Sequence, residues 1–403
     1  MRYKVTVIGG GPAGMMAAIA AAECGAKVCL IEHKERVGKK ILSTGNGKCN
    51  LTNMNISPDC YRSDSKESCF CVIEKFMPDK LRDFFLSIGL MTKEKAGYVY
   101  PNSEQAATVL DALRYELERL QIQVFTETNV KSISKGFVIH TDKLDVATEN
   151  VILACGSMCA PKTGSDGSGY TLAKSFGHRI INPIPALVQI KCKENIFKEL
   201  AGVRAEALVT LTVNGEKVVN EQGELQLTDY GISGIPVFQI SRFIKRELDR
   251  KNNPVVHINF MPDYYDRKLG SILTGFVGHN PSLEIKDVLN GILNKKISPV
   301  ILKQSGIKPS EICKNITPAN IKSIVKNILD FKVTPTDTNG FDNAQVCAGG
   351  VDLSQVNLET MESKIVKNLY FAGEILDVDG KCGGYNLQWA FSSGRLAGLN
   401  AVR

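Results

Sequence analysis

Cysteine pairs with CxxC spacing are absent from this 403-residue sequence, although it contains 12 cysteines. Neither a zinc site nor a sequence-local dithiol centre is therefore predicted, and we expect no metal. The pairs closest in sequence are Cys69 with Cys71 and Cys155 with Cys159. We expect all four to be reduced, structural thiols.

Long hydrophobic runs are also missing. The longest uncharged apolar stretch, residues 15–22, is far shorter than a membrane span. Residues 1–4 lead directly into the first predicted strand, which leaves no room for a signal peptide. With 43% hydrophobic residues the chain can bury a large core. We expect a cytoplasmic protein with no membrane partner.

Charge of one sign is in excess only in one segment. Residues 241–330 contain 15 Lys or Arg and 8 Asp or Glu, a balance of +7 that equals the formal charge of the whole chain. The segment is either a solvated helical face or a surface that attracts acidic ligands or RNA. No RNP-like aromatic strand and no C-x-x-C finger accompanies it, so a nucleic-acid partner is not favoured.

A glycine-rich turn follows the apolar run 5–8 and precedes a predicted helix over 15–23. This strand–turn–helix order is typical of a dinucleotide site, in which the backbone approaches a pyrophosphate at a helix N-terminus. The predicted contact residues of the turn are Gly9, Gly11, Pro12, Ala13 and Gly14.

A second apolar run, residues 28–31, ends before Glu32 and His33. An acid about 20 residues after the glycines is expected to accept hydrogen bonds from ribose hydroxyls. Because a carboxylate there disfavours a 2′-phosphate, the predicted guest is an adenosine without that phosphate. We place both residues at the adenosine end of the site.

A second glycine turn near the C-terminus favours FAD over NAD. Gly373 and Glu374 follow a predicted strand over 368–372, and a later glycine pair opens a helix that extends to about residue 401. An extended flavin dinucleotide needs one helix N-terminus at the pyrophosphate and another at the pyrimidine edge of the reduced ring. We expect Glu374 to accept from ribityl hydroxyls. The remaining predicted contacts here are Gly384, Tyr385, Asn386 and Leu387.

Two further segments complete the predicted cofactor site. The loop 38–53 alternates cations, hydroxyls, amides and exposed backbone N–H groups, and such a loop can cradle a pyrophosphate. The buried run 151–153 ends in small residues that allow a cofactor to pass close by. The predicted contacts are Lys39, Lys40, Thr44, Gly45, Asn46, Gly47, Lys48, Cys49 and Asn50, followed by Ala154, Cys155 and Gly156.

The predicted secondary structure changes in character three times along the chain. Residues 1–190 alternate strands and helices, with a helix predicted over 103–120 and a hairpin over 131–140. Strand-like runs then dominate, followed by helical spacing and a last strand over 328–334. We expect an FAD-binding domain at 1–190 and 337–403, a β-barrel module at 191–263 and 327–336, and a helical insert at 264–326.

Eight segments resemble the bacterial BaiN/YhiN-like flavoproteins, a family known for aminoacetone oxidases and a 3-dehydro-bile-acid reductase. They are GGGPAG (9–14), GKKILSTGNGKCNLTN (38–53), TGSDGSGY (163–170), GHRIINPIPALV (177–188), TDYGISGIP (228–236), CAGGVDL (347–353), TMESKIVKNLYFAGEILDVDG (360–380) and GGYNLQWAFSSGRLAG (383–398). The resemblance covers essentially the whole chain. It implies an α/β FAD-binding domain of the glutathione-reductase type, interrupted by a β-barrel module and a small helical insert that together cap the flavin. It also implies that Val130 lies near the adenine.

The chain departs from this family at three places. Lys48 replaces a frequent Arg and keeps the charge without its planar bidentate contacts. Cys155 puts a thiol where the family often has ATGG, and Asp229-Tyr230 stands where it often has His. We therefore name Asp229 and Tyr230 as candidate catalytic residues. Tyr230 is the better proton donor, because a phenol stays protonated at neutral pH.

The chain lacks a second strand–GxGxxG–helix unit, so a dedicated NAD(P)H domain is not expected. No CH or HC linkage flanks the nucleotide loop, and we expect FAD to be held non-covalently. Three functions remain open. The first is a reductase that moves hydride from transiently bound NAD(P)H through flavin to an activated alkene of a small molecule, such as a bile-acid or steroid dienone. We favour this function because the basic segment suits an acidic substrate. The others are an aminoacetone-type amine or amino-ketone oxidase that uses oxygen, and an RNA-associated flavoprotein.

Overall fold

The computed structural model describes residues 2–65 and 67–403. It divides into two compact units: unit 1 extends to Ala186 and resumes at Phe341, and unit 2 is Leu187–Gly340. Each unit has a hydrophobic core of its own. Among the described residues, no helix is long and apolar enough to cross a membrane.

The first part of unit 1 alternates strands and helices. Its strands are β1 (Arg2–Ile8), β2 (Val28–Ile31), β3 (Thr52–Asn53), β4 (Tyr61–Arg62), β5 (Thr92–Lys95), β6 (Tyr98–Pro101), β7 (Gln123–Phe125), β8 (Val130–Ser134), β9 (Val138–Thr141), β10 (Asp145–Leu153) and β11 (Ile180–Ala186). Its helices are α1 (Pro12–Glu23), α2 (Phe70–Lys75), α3 (Pro78–Ser87), α4 (Ala106–Arg119) and α5 (Ser168–Ser175).

Unit 2 combines an antiparallel sheet with helices. Its strands are β12 (Ile190–Cys192), β13 (Arg204–Val213), β14 (Glu216–Leu227), β15 (Gly231–Gly234), β16 (Pro254–Asn259), β17 (Phe331–Val333) and β18 (Pro335–Thr338), in the sheet order β17–β16–β13–β14–β15–β12–β18. Its helices are α6 (Phe197–Leu200), α7 (Ile235–Asp249), α8 (Asp266–His279), α9 (Ile285–Leu289), α10 (Ile297–Gln304) and α11 (Pro318–Leu329).

The last part of the chain completes unit 1. Its elements are β19 (Val346–Val351), β20 (Val356–Asn357), β21 (Glu362–Ser363), β22 (Leu369–Phe371), β23 (Asp379–Gly380) and α12 (Tyr385–Asn400). The main sheet has the order β20–β21–β22–β10–β1–β2–β7, and β9 and β8 extend from β10. Strand β19 pairs antiparallel with β11.

The centre of the main sheet is parallel. Strand β1 pairs in parallel with β2 and β10, and β10 pairs in parallel with β22. The apolar runs of these strands are buried, as expected for a parallel sheet covered on both faces. In the register, Ile8 lies opposite both Ile31 and Leu153, and Leu153 lies opposite Phe371. The carboxyl ends of the four strands are therefore level.

Helices α1 and α12 pack against each other so closely that their backbones are in contact. A Cβ added to Gly394 would stand 2.3 Å from the carbonyl oxygen of Ala13, and one added to Gly398 would stand 2.3 Å from that of Ala17. The buried face of α1 consists mainly of alanine, which also permits the close approach. The C-terminal helix is thereby held against the first helix of the chain.

Several sequence-predicted boundaries were wrong. Helix α1 begins at Pro12 rather than Met15, and α4 begins at Ala106 rather than Ser103. The strand expected over 328–334 is shorter, because α11 continues to Leu329 and β17 covers only Phe331–Val333. Helix α7 was not predicted within the β-rich segment. It begins after Gly234 with a proline in its first turn, a favourable helix start.

Replacing Gly398 with alanine is expected to lower the free energy of unfolding by about 1–3 kcal/mol, because the added methyl group overpacks the contact with α1. The check is urea unfolding followed by circular dichroism. Gly270→Ala in α8 is the control: no other described atom lies within 4 Å of its Cβ position, so stability should be unchanged or higher by up to about 1 kcal/mol. Equal stability of Gly398→Ala and the wild type would contradict this packing.

Candidate active site

Four loops of unit 1 meet at one edge of the parallel sheet, because the strands that precede them end at the same level. Residues 9–14 follow β1, Glu32 follows β2, residues 154–156 follow β10 and residues 373–374 follow β22. The carboxyl edge of a parallel sheet, at a change in strand order, is where such folds bind nucleotides. The predicted cofactor residues of these loops are therefore brought together.

The glycine turn between β1 and α1 leaves its backbone accessible. Gly9 has φ of +104°, and a Cβ there would be 2.4 Å from the carbonyl oxygen of Ala154. A Cβ on Gly14 would be 1.8 Å from the carbonyl oxygen of Gly9. At Gly11, by contrast, no other described atom lies within 4 Å of the Cβ position. Gly11 is also the N-cap of α1, and no described side chain caps it, so the open position beside Gly11 adjoins a helix N-terminus that favours a pyrophosphate.

Glu32 is buried, and both of its carboxylate oxygens accept backbone hydrogen bonds. The amide of Gly10 donates to Oε2 and the amide of Lys34 donates to Oε1, each at 2.8 Å. Each oxygen retains a lone pair that a ribose hydroxyl could use. His33 is only partly buried, with its Nδ1 3.9 Å from Glu32 Oε1. Val130, at the start of β8, is half-buried.

The predicted phosphate loop forms a 3₁₀ turn over Lys39–Gly47 that is interrupted at Thr44, Gly45 and Asn46. Its three lysines have different environments. Lys39 pairs with Glu35 at 3.0 Å and Lys48 pairs with Glu104 at 2.8 Å. The side chains of Lys48 and its partner Glu104 are substantially exposed to solvent, whereas the side chain of Lys40 is mostly buried.

Lys40 joins the phosphate loop to the loop after β22. Its Nζ contacts Oε2 of Glu374 at 2.5 Å, and the hydroxyl of Ser157 donates to the same oxygen at 3.2 Å. Burial opposes the charged ammonium, but the carboxylate of Glu374 outweighs this effect and raises the pKa of Lys40 above its usual value. A fixed positive charge therefore lies among the loops that meet at the sheet edge. Sequence analysis missed Ser157.

Cys49 and Asn50 follow this loop and are buried. Burial raises the pKa of the Cys49 thiol to about 12, so this cysteine stays a neutral thiol. The side-chain oxygens of Asn50 and Thr52 are buried and accept no hydrogen bond from any described residue. Unpartnered buried oxygens are uncommon in folded proteins and are consistent with a group that binds here.

The N-terminus of α12 packs against the same segment. Gly384 has φ of +97°, and a Cβ there would be 2.5 Å from the carbonyl oxygen of Thr52. Asn386 exchanges hydrogen bonds with Gly380, whose amide donates to its Oδ1 at 2.7 Å and whose carbonyl accepts from its Nδ2 at 3.0 Å. Tyr385 is buried and Leu387 is nearly so, and no side chain caps this helix end. Its free N–H groups are thus available to an electron-rich ligand.

Helix α12 also fixes the loop after β22. Trp389 Nε1 donates to the carbonyl oxygen of Gly373 at 3.0 Å, and the amide of Gly373 donates to Ser393 Oγ at 2.9 Å. Asp377, which sequence analysis did not single out, is fully buried and accepts from the amides of Asp64 and Gly349. The sequence signal that could have drawn attention to Asp377 is its position in the DVDG segment (377–380), which is part of the family motif.

Cys155 adjoins the nucleotide turn and donates a hydrogen bond to the carbonyl oxygen of Ile8. Burial raises the pKa of Cys155 to about 12, which makes it a poor nucleophile. The thiol closest to another thiol is instead Cys159, whose sulfur lies 3.1 Å from that of Cys347. Sequence spacing could not have indicated this pair.

Asp229 and Tyr230 lie in unit 2, in the turn between β14 and β15. Asp229 is exposed and Tyr230 is half-buried. The amide of Cys192 donates to the backbone carbonyl of Tyr230 at 2.9 Å, and Asn339 Nδ2 donates to its phenol oxygen at 2.8 Å. The phenol oxygen acts as an acceptor in that bond, so its own hydrogen remains available to another acceptor.

These observations on unit 1 fit an extended dinucleotide. The open space at Gly11 suits the pyrophosphate, the lone pairs of Glu32 suit ribose hydroxyls, and the uncapped start of α12 suits an electron-rich ring edge. The unpartnered oxygens of Asn50 and Thr52 lie on the segment that packs against the start of α12.

Comparison with known proteins identifies the family. The family described as the HI0933-like protein Rossmann domain matches residues 3–400. The chain is 43% identical to a 3-dehydro-bile acid delta(4,6)-reductase of Clostridium scindens, covering 99% of each chain. It is 30% identical to a ribosomal RNA dihydrouridine synthase of Escherichia coli, covering 97% of this chain and 96% of that protein. The structure of a 3-ketosteroid-delta4-(5alpha)-dehydrogenase from Rhodococcus jostii is similar with a TM-score of 0.50, 15% identity, and coverage of 100% of this chain and 97% of that one.

The fold and the family match define the class: an FAD-dependent oxidoreductase built on a Rossmann-type FAD-binding fold. Within this class, the chain belongs to the HI0933-like family. The family resemblance and the α/β fold class inferred from the sequence are confirmed.

Replacing Glu32 with alanine is expected to weaken FAD binding by about ten- to a hundredfold, because a charge-assisted hydrogen bond to ribose is worth about 1.5–3 kcal/mol. The measurement is the dissociation constant from flavin fluorescence. Glu149→Ala is the matched control, since it removes an exposed carboxylate that pairs only at the surface with Lys4. An unchanged constant for the Glu32 variant would show that this carboxylate does not bind the cofactor.

Proposed function

We propose that the protein is a reductase that transfers hydride from NAD(P)H, through non-covalently held FAD, to a carbon–carbon double bond conjugated with a carbonyl. The substrate class is an acidic steroid such as a bile-acid dienone. The observation that carries this proposal is the 43% identity, over 99% of each chain, with a protein named a 3-dehydro-bile acid delta(4,6)-reductase.

Different residues of unit 1 would bind the different parts of FAD. Glu32 and the N-terminus of α1 would bind the adenosine and the pyrophosphate, and the N-terminus of α12 would face the ring. When bound, FAD supplies the hydride transfer. Lys40, with its raised pKa, contributes a positive charge that favours the anionic pyrophosphate.

NAD(P)H is proposed as a transiently bound donor. In the sequence, the strand–glycine–helix unit with a following acid occurs once, at residues 5–32. A second resident dinucleotide would require another such unit. The positive balance of residues 241–330 would attract both a phosphorylated donor and an acidic substrate.

Tyr230 is proposed as the proton donor to the carbon next to the one that accepts hydride, or to the carbonyl oxygen of the conjugated system. Its phenol accepts from Asn339 and keeps its own hydrogen free to donate. Asp229 is exposed. We assign Asp229 to the border of the substrate site rather than to proton donation.

A uridine in RNA is the second candidate substrate. The observation that favours it is the 30% identity with a ribosomal RNA dihydrouridine synthase, over 97% of this chain. Formation of dihydrouridine is also the reduction of a double bond conjugated with a carbonyl. The proposed chemistry is therefore the same, and only the molecule that presents the double bond differs.

Anaerobic stopped-flow measurement is expected to show reduction of the bound flavin by NADH or NADPH. Rapid reoxidation should follow when a 3-oxo-4,6-diene bile acid is added, because a conjugated alkene accepts hydride at the carbon remote from the carbonyl. The same reduced enzyme is mixed separately with uridine-containing ribosomal RNA, with RNA lacking uridine as its control, and with oxygen.

Each result assigns one function. Reoxidation by RNA alone would replace the steroid with uridine as the substrate. Flavin reduction by aminoacetone but by neither nicotinamide would overturn the reductase in favour of an oxidase.

Acid precipitation should release the flavin into the supernatant, and flavin retained in the pellet would contradict non-covalent binding.

Tyr230→Phe is expected to slow flavin reoxidation by the alkene about 100-fold or more while leaving reduction by NAD(P)H intact, because only the proton donor is lost. The comparison is single-turnover kinetics of both half-reactions. Tyr265→Phe is the matched control, since Tyr265 is a highly exposed tyrosine of the same unit. Unchanged reoxidation in Tyr230→Phe would exclude its phenol as the donor.

A further inference from the structure

Two buried cysteines that are 188 positions apart in sequence meet in unit 1. The sulfurs of Cys159 and Cys347 are 3.1 Å apart, and both residues are almost completely buried. A disulfide requires an S–S distance of about 2.05 Å, so bond formation needs a movement of only about 1 Å. The two thiols are therefore already in the arrangement that precedes a disulfide.

Rigid segments hold both cysteines. Cys347 lies on β19, where it is the register partner of Pro185 on β11. The amide of Cys159 donates to Ser157 Oγ at 3.3 Å, and the next amide, that of Ala160, donates to the carbonyl oxygen of Phe341 at 3.0 Å. Because the backbone on both sides is anchored, the thiols stay adjacent without ordering any further chain.

The surroundings of the pair distinguish its two sulfurs. The hydrogen bond from Cys159 lowers the pKa of Cys347, and burial opposes this effect. Burial and the neighbouring Cys347 raise the pKa of Cys159 well above its usual value. Lys40 interacts electrostatically with both sulfurs. Cys347 is thus the sulfur that ionises and attacks, and Cys159 is the thiol that retains its proton.

We propose that Cys159 and Cys347 form a redox-active dithiol that hydrogen peroxide oxidises to an intramolecular disulfide. The thiolate of Cys347 attacks one peroxide oxygen, which breaks the O–O bond and gives a sulfenic acid, with one water released after protonation. The thiol of Cys159 then attacks the sulfenic sulfur, forming the S–S bond and releasing a second water. Two electrons leave the sulfurs and reduce the peroxide, and a dithiol reductant reverses the change.

Partly exposed side chains lie one hydrogen-bonded residue away from the pair. Lys40 and Glu374, whose side chains are 18% and 17% exposed, connect solvent to Ser157, and Ser157 bonds to Glu374 and contacts the cysteines. If FAD occupies these loops, as the proposed function requires, it covers this route and slows the oxidation.

Other buried cysteines lack this arrangement. The sulfur of Cys29 lies 3.2 Å from the hydroxyl of Thr6, and burial raises the pKa of Cys29 to about 12. Burial likewise raises the pKa of Cys69 to about 12. Neither provides both a thiolate and an adjacent resolving thiol, so oxidation should be selective for the Cys159–Cys347 pair.

The test treats the full chain with a small excess of hydrogen peroxide, with and without saturating FAD, and maps disulfides by mass spectrometry of unreduced peptides. We expect a peptide pair linked through Cys159 and Cys347, restored to two thiols by dithiothreitol. Its formation should be at least tenfold slower with FAD bound. Cys24→Ser, which removes an exposed thiol, is the control and should retain the link.

A second measurement uses dimedone, which traps sulfenic acids. Cys159→Ser should accumulate a dimedone adduct on Cys347, whereas Cys347→Ser should show none on Cys159. Absence of the linked peptide pair in the wild type, or the reverse labelling pattern, would overturn the redox-active dithiol. Equal rates of linkage with and without FAD would leave the dithiol standing and would instead contradict the placement of FAD over Lys40 and Glu374.

Discussion

The contact between α1 and α12 is the constraint on which the candidate site depends. Gly394 and Gly398 allow the last helix to reach the backbone of the first, since any side chain at either position would collide with a carbonyl oxygen of α1. With α12 in place, Trp389 and Ser393 fix Gly373, and the loop after β22 is held at the level of the glycine turn. Two helix N-termini and a buried cation are thereby presented on one unit.

Local order explains which parts of the site could be predicted from sequence. The glycine turn and Glu32 are recognisable because strand, turn, helix and acid follow one another within about 30 residues, and each residue type has a backbone or charge reason to be there. The class of fold and the family follow from this order and from the motifs near the C-terminus, and both were confirmed. The individual cofactor contacts and the domain limits remain predictions.

Long-range pairing explains what could not be predicted. The sequence gives no reason to distinguish Lys39, Lys40 and Lys48. The fold shows that Lys40 contacts Glu374, whereas the other two lysines form ion pairs nearer the surface. Helix α7 was hidden in a segment whose neighbours are strands. The approach of Cys159 to Cys347 depends on the pairing of β11 with β19, which no local pattern encodes.

The position of α12 at the end of the chain has a consequence for biosynthesis. The strand and turn that begin the nucleotide site are complete by residue 14, whereas the helix that braces them ends at Asn400. Residues 24–384 must therefore be synthesised before these two helices can meet. Throughout translation, the alanine-rich face of α1 lacks its final partner, and the nascent chain depends on transient cover for that surface.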